Sequence, residues 1–184
     1  MKIVVAGAGE VGSHLAKMLS FERHDIIVID DSPERLERAS EGADIITIQG
    51  HATSISTLLE AKVPQADLFI AVSPAQEQDV NIVSALLAKK LGAQKVTARI
   101  NNEEYQTSEN KLLFTELGID SLFYPEKIAA NEIINLLKQT ATSEFMDYSH
   151  GKIQMVSFRV EDGAPIVGKT MGDYYSGENL KFKI

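Results

Sequence analysis

The chain has no cysteine, so it forms neither disulfides nor thiolate metal sites. That composition suits a reducing compartment. No apolar stretch approaches the roughly 20 residues needed to span a bilayer. No signal segment is visible, because Met1-Lys2 leads directly into a short run that ends in a glycine turn. Membrane association is therefore expected only through a partner. Positive charge is also short. Lys and Arg number 18 against 26 Asp and Glu, a formal net charge of −8 with no basic stripe, which argues against nucleic-acid binding. The four histidines, His14, His24, His51 and His150, show no His-x-x-x-His or similar ligand spacing. A Tyr-x-x-x-Lys pair of the short-chain dehydrogenase type is missing too. Tyr124 and Lys127 are one residue too close, and Tyr105 has no lysine four residues on.

What is present is informative. At 184 residues, with 44% hydrophobic and 24% charged content, the chain can bury one good core and a small appendage. Near its start Gly7-Ala8-Gly9-Glu10-Val11-Gly12 follows the apolar run Ile3-Val4-Val5-Ala6 and opens a helical pattern. A strand, a G-x-G-x-x-G turn and a helix together form a dinucleotide cradle. Gly7 permits the tight turn, Gly9 lets a pyrophosphate approach the backbone, and Gly12 lets helix and strand pack closely. The helix start offers unpaired N–H groups and a partial positive charge to phosphates. A second apolar run, Asp25–Asp30, ends in an acid at the spacing expected of a ribose ligand. Asp30 and Asp31 together repel a 2′-phosphate, which favours NAD(H) over NADP(H), although Arg35 lies one turn into the next helix.

Strands are expected at Lys2–Ala6, Asp25–Asp30, Asp44–Gln49, Leu68–Val72, Lys95–Ile100 and Ser121–Tyr124. Most are near-continuous apolar runs, as in a parallel sheet covered on both faces. Helices are expected at Val11–Phe21, Pro33–Glu41, Ile55–Lys62, Gln76–Leu91, Glu103–Leu117 and Pro125–Thr140. Ser32 before Pro33 reads as N-cap and N1, Ser54 as a further N-cap, and Gly92 and Gly118 as C-terminal glycines. The alternation predicts an α/β, Rossmann-like, doubly wound six-stranded parallel sheet over residues 1–140. The last helix, 125–140, carries Ile128, Ala129, Ala130, Ile133, Ile134, Leu136 and Leu137, most of them within an arc of roughly 160°. It is either buried in its own domain or packed on another subunit.

Residues 141–151 are mixed and polar and read as a linker. The segment 152–184 is too short for an independent core, so it reads as part of a longer protein or else as a tail that docks elsewhere, the first being favoured. Its strand Lys152–Val160 changes apolar phase midway, which suggests a bulge or two-sided burial, and Asp162-Gly163 reads as a turn. Gly163–Thr170 matches the letters of a Walker A loop. Pro165 removes a needed N–H, Ile166 and Val167 favour strand, and too little chain follows for a Walker B strand. The match is therefore read as coincidence.

Other strand ends supply candidates. His51, in Gly50-His51-Ala52-Thr53, follows the third strand and is either a pocket residue or a polar loop residue. Ser73, in Val72-Ser73-Pro74 ahead of Glu77, either bonds ribose or phosphate or caps a helix. Arg99 pairs with phosphate, with a carboxylate across an interface, or in a surface ion pair.

This series of stretches, continued by Glu34-Arg35-Leu36, Ala98-Arg99-Ile100 and Tyr124-Pro125-Glu126, resembles the KTN/RCK domain family of bacterial potassium-uptake regulators over nearly the whole chain. The resemblance implies a Rossmann domain whose last helix crosses to a partner, with 152–184 as the start of a small α+β C-terminal regulatory subdomain. It further implies a homodimer or ring through helix 125–140, beneath a potassium-translocating membrane subunit. The protein would then be cytoplasmic and peripheral on the inner face of the cell membrane. It implies nucleotide gating, by NAD(H) or else ATP/ADP, without catalysis. Gly7, Gly9 and Gly12, with Ala8, Glu10 and Val11 in the same turn, would hold phosphates, and Asp30 the ribose. Val72, Ser73 and Pro74 would line the pocket. Arg99 would reach a phosphate or a neighbour, and Glu126 an interface cation. The competing readings are a truncated NAD-dependent dehydrogenase and a structural dimerisation unit with a vestigial cleft. A hydride-transfer enzyme needs a positioned acid or base, and His51 alone stands at a suitable strand end.

Overall fold

The computed structural model describes residues 1–138, 144–148, 153–157, 159–170 and 172. Six parallel strands alternate with helices. They are β1 (Lys2–Ala6), β2 (Asp25–Asp30), β3 (Ile45–Gln49), β4 (Leu68–Ala71), β5 (Lys95–Arg99) and β6 (Ser121–Phe123). The helices are α1 (Glu10–Phe21), α2 (Pro33–Ser40), α3 (Ile55–Glu60), α4 (Gln78–Leu91), α5 (Ser108–Glu116) and α6 (Pro125–Lys138). The sheet runs β3-β2-β1-β4-β5-β6, so the order reverses beside β1. This is the doubly wound, Rossmann-like sheet that the alternating pattern predicts.

Period-two alternation within the apolar runs sorts side chains to two cores. Ile3, Val5, Ile26, Val28 and Ile70 pack with Ala16, Leu36 and Ala39 of α1 and α2. Val4, Ala6, Ile29, Phe69 and Ala98 pack on the other side with Leu58 of α3 and Ala85 and Ala88 of α4. Val4, Val5, Val28 and Ile29 are all within 2% of complete burial, which is why the runs are continuous. Each such side chain contributes about 1.5–3 kcal/mol relative to exposure. Register places Ala6 beside Ile29 and Ala71, so the turns after β1, β2 and β4 start level with one another.

Several helix ends differ from the sequence reading. The segment expected as one helix from Glu103 to Leu117 is a 3-10 turn, Glu103–Gln106, followed by α5. Thr107 breaks it, because its side chain accepts the Asn110 N–H and restarts the helix. Likewise Ala75–Glu77 is a 3-10 turn ahead of α4. The third helix ends at Glu60, with Lys62 in the left-handed region at φ 54° before the turn Val63–Gln65.

Residues 1–128 form one compact unit and 129–184 a second. In the second, β7 (Glu144–Tyr148) pairs antiparallel with β8 (Ile153–Ser157). This corrects the linker reading of 141–151, of which residues 141–143 and 149–151 lie outside the described residues. Phe145 and Tyr148 favour strand, and the partner that makes it one is distant in composition but close in sequence. The expected bulge is absent within β8, where five consecutive residues pair without interruption; Lys152 and Phe158 lie outside the described residues. Residues 161–169 form successive turns, with Ala164 N–H bonded to Glu161 O and Val167 N–H to Ala164 O. That geometry differs from the strand–loop–helix of a P-loop.

Candidate functional site

Four turns at the carboxyl ends of β1 to β4 border a crevice that is open to solvent. Its lining includes Gly7, Asp30, Asp31, Arg35, His51 and Ser73 from the sequence-predicted set. Ile29, Gly50, Ala52, Glu77 and Val80 complete it. It lies where strand order reverses, the position at which doubly wound sheets take ligands.

The three glycines do different work. Gly7 has φ +109°, and a Cβ there would stand 2.6 Å from the Ser73 nitrogen. A Cβ on Gly12 would collide with the Gly7 carbonyl oxygen. Both are required by the fold itself. Gly9 is not. Its φ of −66° and ψ of −174° suit any residue, and a Cβ there would meet nothing within 4 Å. Nothing within the described chain demands glycine at this position.

Helix starts show a matching contrast. α2, α3 and α5 are capped by the side chains of Ser32, Ser54 and Thr107. α1 begins at Gly9 and α4 at Glu77 with no side-chain cap. Capping bonds normally satisfy one of the orphan N–H groups, at about 1 kcal/mol each. The leading turns of α1 to α4 all border the crevice, and at α1 and α4, reached through Gly7 and Glu77, no side chain occupies the helix start. Unpaired N–H groups and the positive end of the helix dipole remain available to an anion there.

Asp30 is 6% exposed and organises the turns. Its Oδ2 accepts the Ala8 N–H at 2.6 Å, and its Oδ1 the Ser32 N–H at 3.0 Å. Arg35 Nη1 stands 3.7 Å from the same Oδ1. Sequence spacing assigns Asp30 to a ribose; the structure adds that its carboxylate clamps the glycine turn. A carboxylate has about four acceptor sites, so capacity remains for a ligand hydroxyl. Arg35 is held near Asp30 because Ser32 Oγ accepts its N–H and donates to Glu34 Oε2. The bond from Ser32 holds the Glu34 carboxyl below the usual carboxylate range.

Ser73 does not cap a helix. Its N–H donates to Asn81 Oδ1 at 2.8 Å, and its carbonyl accepts from Asn81 Nδ2 at 3.2 Å. Asn81 is 1% exposed and was missed by sequence reasoning. The available signal was an amide on the small-residue face of α4, alongside Ser84, Ala85 and Ala88. His51 is exposed, and its Nδ1 lies 2.8 Å from Thr53 Oγ1. Among the remaining candidates, Ala8 is buried, Glu10 and Val11 are exposed on the first turn of α1, Val72 is buried, and Pro74 is half-buried. Arg99 is not part of the lining. Its Nη2 donates to Glu126 Oε1 at 2.5 Å, and its buried Nε has no partner among the described residues. No group of three or more metal-ligating side chains occurs among the described residues.

The fold and its glycine turn define a Rossmann-type domain. The chain belongs to the TrkA-N domain family, whose model matches residues 3–125. It is 39% identical over 182 residues to a Trk system potassium uptake protein TrkA homolog of Archaeoglobus fulgidus. That match covers 98% of this chain and 40% of the relative, so the chain spans well under half the relative's length. Among solved structures it resembles the TrkA-N domain of the inner membrane protein ybaL from Escherichia coli. There the TM-score is 0.61, with 20% identity over 74% of this chain and 96% of that one. It also resembles the GsuK channel bound to NAD, with a TM-score of 0.59 and 18% identity over 94% of this chain and 30% of that one. A GsuK structure bound to ADP gives a TM-score of 0.58 and 24% identity, over 75% and 34% of the two chains. No helix among the described residues is long and apolar enough to cross a membrane.

Proposed function

We propose that the crevice binds an adenine nucleotide, NAD(H) in preference to ATP or ADP, and that occupancy regulates potassium uptake without consuming the ligand. The observation that carries this is Gly9, a glycine that the described chain does not need, at the uncapped start of α1 and next to the Asp30-clamped turn. Backbone that close to open space suits a pyrophosphate. Asp30 and Asp31 would face the adenosine ribose, Ser73 would offer its hydroxyl, and His51 and Arg35 would border the base. The NAD- and ADP-bound GsuK structures share this fold and support the choice of ligand class.

Regulation requires that the ligand bind two arrangements of an assembly unequally. The proposed assembly is a homodimer or ring through α6, sited on the cytoplasmic face of the membrane against a potassium-translocating subunit. Ile128, Ile133, Ile134 and Leu136 of α6 are 59%, 58%, 47% and 58% exposed, an apolar set that a second copy would cover. A cation at Glu126 would have to displace Arg99 and draw its other ligands from a neighbour. Calorimetric titration with NAD, NADH, ATP and ADP tests the ligand. Micromolar binding of NADH, without loss of NADH absorbance over hours, is the expected result. Steady oxidation of NADH matched by reduction of an added carbonyl acceptor would favour the dehydrogenase reading, and failure of every nucleotide to bind would end the proposal.

A further inference from the structure

Glu77 is the residue of the crevice that neither fold nor sequence pattern accounts for. It ends the 3-10 turn Ala75–Glu77 and stands at the N-cap of α4, yet its side chain makes no capping bond. Its carboxylate has no hydrogen bond or ion pair among the described residues. A serine or aspartate there would stabilise the helix by capping, which glutamate does not do here. It lines the same crevice as Asp30 and Asp31, from the β4 side. Three carboxylates therefore share the lining with a single guanidinium, Arg35, which already faces Asp30.

We propose that Glu77 sorts ligands in this crevice, accepting the hydroxyls of a second ribose and repelling a third phosphate. This rests on the nucleotide reading above. With the adenosine ribose at Asp30 and a diphosphate on the start of α1, the far half of the ligand falls beside Ser73 and Glu77. In a dinucleotide that half begins with a ribose, whose two hydroxyls are donors. In ATP it is a γ-phosphate, which brings only acceptors and further negative charge. An ionised carboxylate is acceptor-only, so it complements the first and opposes the second. The crevice thus selects against ligand charge beyond the diphosphate, and ADP falls between the two.

The test titrates the full chain and its Glu77→Gln variant with NADH, ADP and ATP in EDTA, and with ATP again in magnesium. The glutamine is expected to tighten ATP about tenfold, the scale of one unit-charge contact open to water. ADP should tighten less, and NADH should weaken several-fold. Glu116→Gln on α5, outside the crevice, makes the same change in net charge and should move none of them. An ATP-to-NADH ratio that stays within about twofold in Glu77→Gln overturns the proposal while leaving the nucleotide reading intact. So does equal tightening of all three ligands, or a magnesium-dependent gain in ATP affinity that Glu77→Gln abolishes, since Glu77 would then hold a cation. Absence of nucleotide binding by the unsubstituted chain removes both claims. Glu77 is exposed, so equal thermal midpoints for the two proteins are expected and exclude a folding defect.

Discussion

Replacing Gly9 by alanine separates what the fold needs from what a ligand needs. The backbone at Gly9, φ −66° and ψ −174°, is open to alanine, and the new methyl meets nothing within 4 Å. Losing glycine at an N-cap costs at most about 1 kcal/mol. Stiffening the unfolded chain returns about 0.4–1 kcal/mol. The expected change in stability is close to zero, read as an unchanged urea midpoint. Binding should respond differently. The methyl occupies the space through which a phosphate approaches the first N–H groups of α1. Loss of one charge-assisted hydrogen bond, about 1.5–3 kcal/mol, weakens the nucleotide roughly 10–150-fold. Calorimetry with NADH and ADP reads the loss directly. Gly12→Ala is the contrast, because its Cβ collides with the Gly7 carbonyl and should destabilise the fold by about 1–3 kcal/mol or more. If Gly9→Ala binds both nucleotides as tightly as the unsubstituted protein, phosphates do not sit on this turn and the reasoning fails.

Asp30→Ala should weaken nucleotide binding and also lower stability by about 2–4 kcal/mol, since it strands the buried Ala8 N–H and the half-buried Ser32 N–H; chemical denaturation measures the second effect. Ile134→Asp on α6 should leave folding unchanged, because Ile134 is 47% exposed, and should halve or further reduce the mass seen by light scattering if copies associate there. Asp120 supplies a pH test. Burial raises its carboxyl, but the bonds from Lys89 Nζ and the Val96 N–H outweigh that and hold it below the usual range. A depressed folded-state value adds stability above the unfolded pKa and loses it as pH falls through the folded one. Asp120→Asn should therefore be less stable than the parent at pH 7, by under about 1 kcal/mol at this half-exposed site, with the gap closing towards pH 3. A gap that widens in acid would contradict the assignment.

The sheet was legible because most strands are short apolar runs, closed by glycine or acid after β1, β2 and β3, and because parallel strands buried on both faces leave that mark. Helix interruptions were less so. Thr107 looks like any helix-surface threonine until its hydroxyl is seen accepting the Asn110 N–H. Strand β7 escaped because Glu144 and Asp147 make the segment read as polar, while its pairing with β8 depends on register. At the site, spacing alone placed Asp30 at a strand end. Its clamp on Ala8 joins residues 22 apart, and only the β1–β2 register brings them together. Glu77 was hidden for another reason. An acid at a helix start is favourable anywhere, so sequence offers no way to tell one facing a crevice from one facing solvent.

The two hydrogen bonds between Asn81 and Ser73, one in each direction, fix both backbone polar groups of Ser73 opposite the glycine turn. That wall stands ready before any guest arrives, so entry forfeits little chain freedom there. Adjustment on occupancy then falls to the fringe of exposed side chains, His51 and Glu77. A message leaving this chamber would start in that fringe, with the masonry behind it standing still.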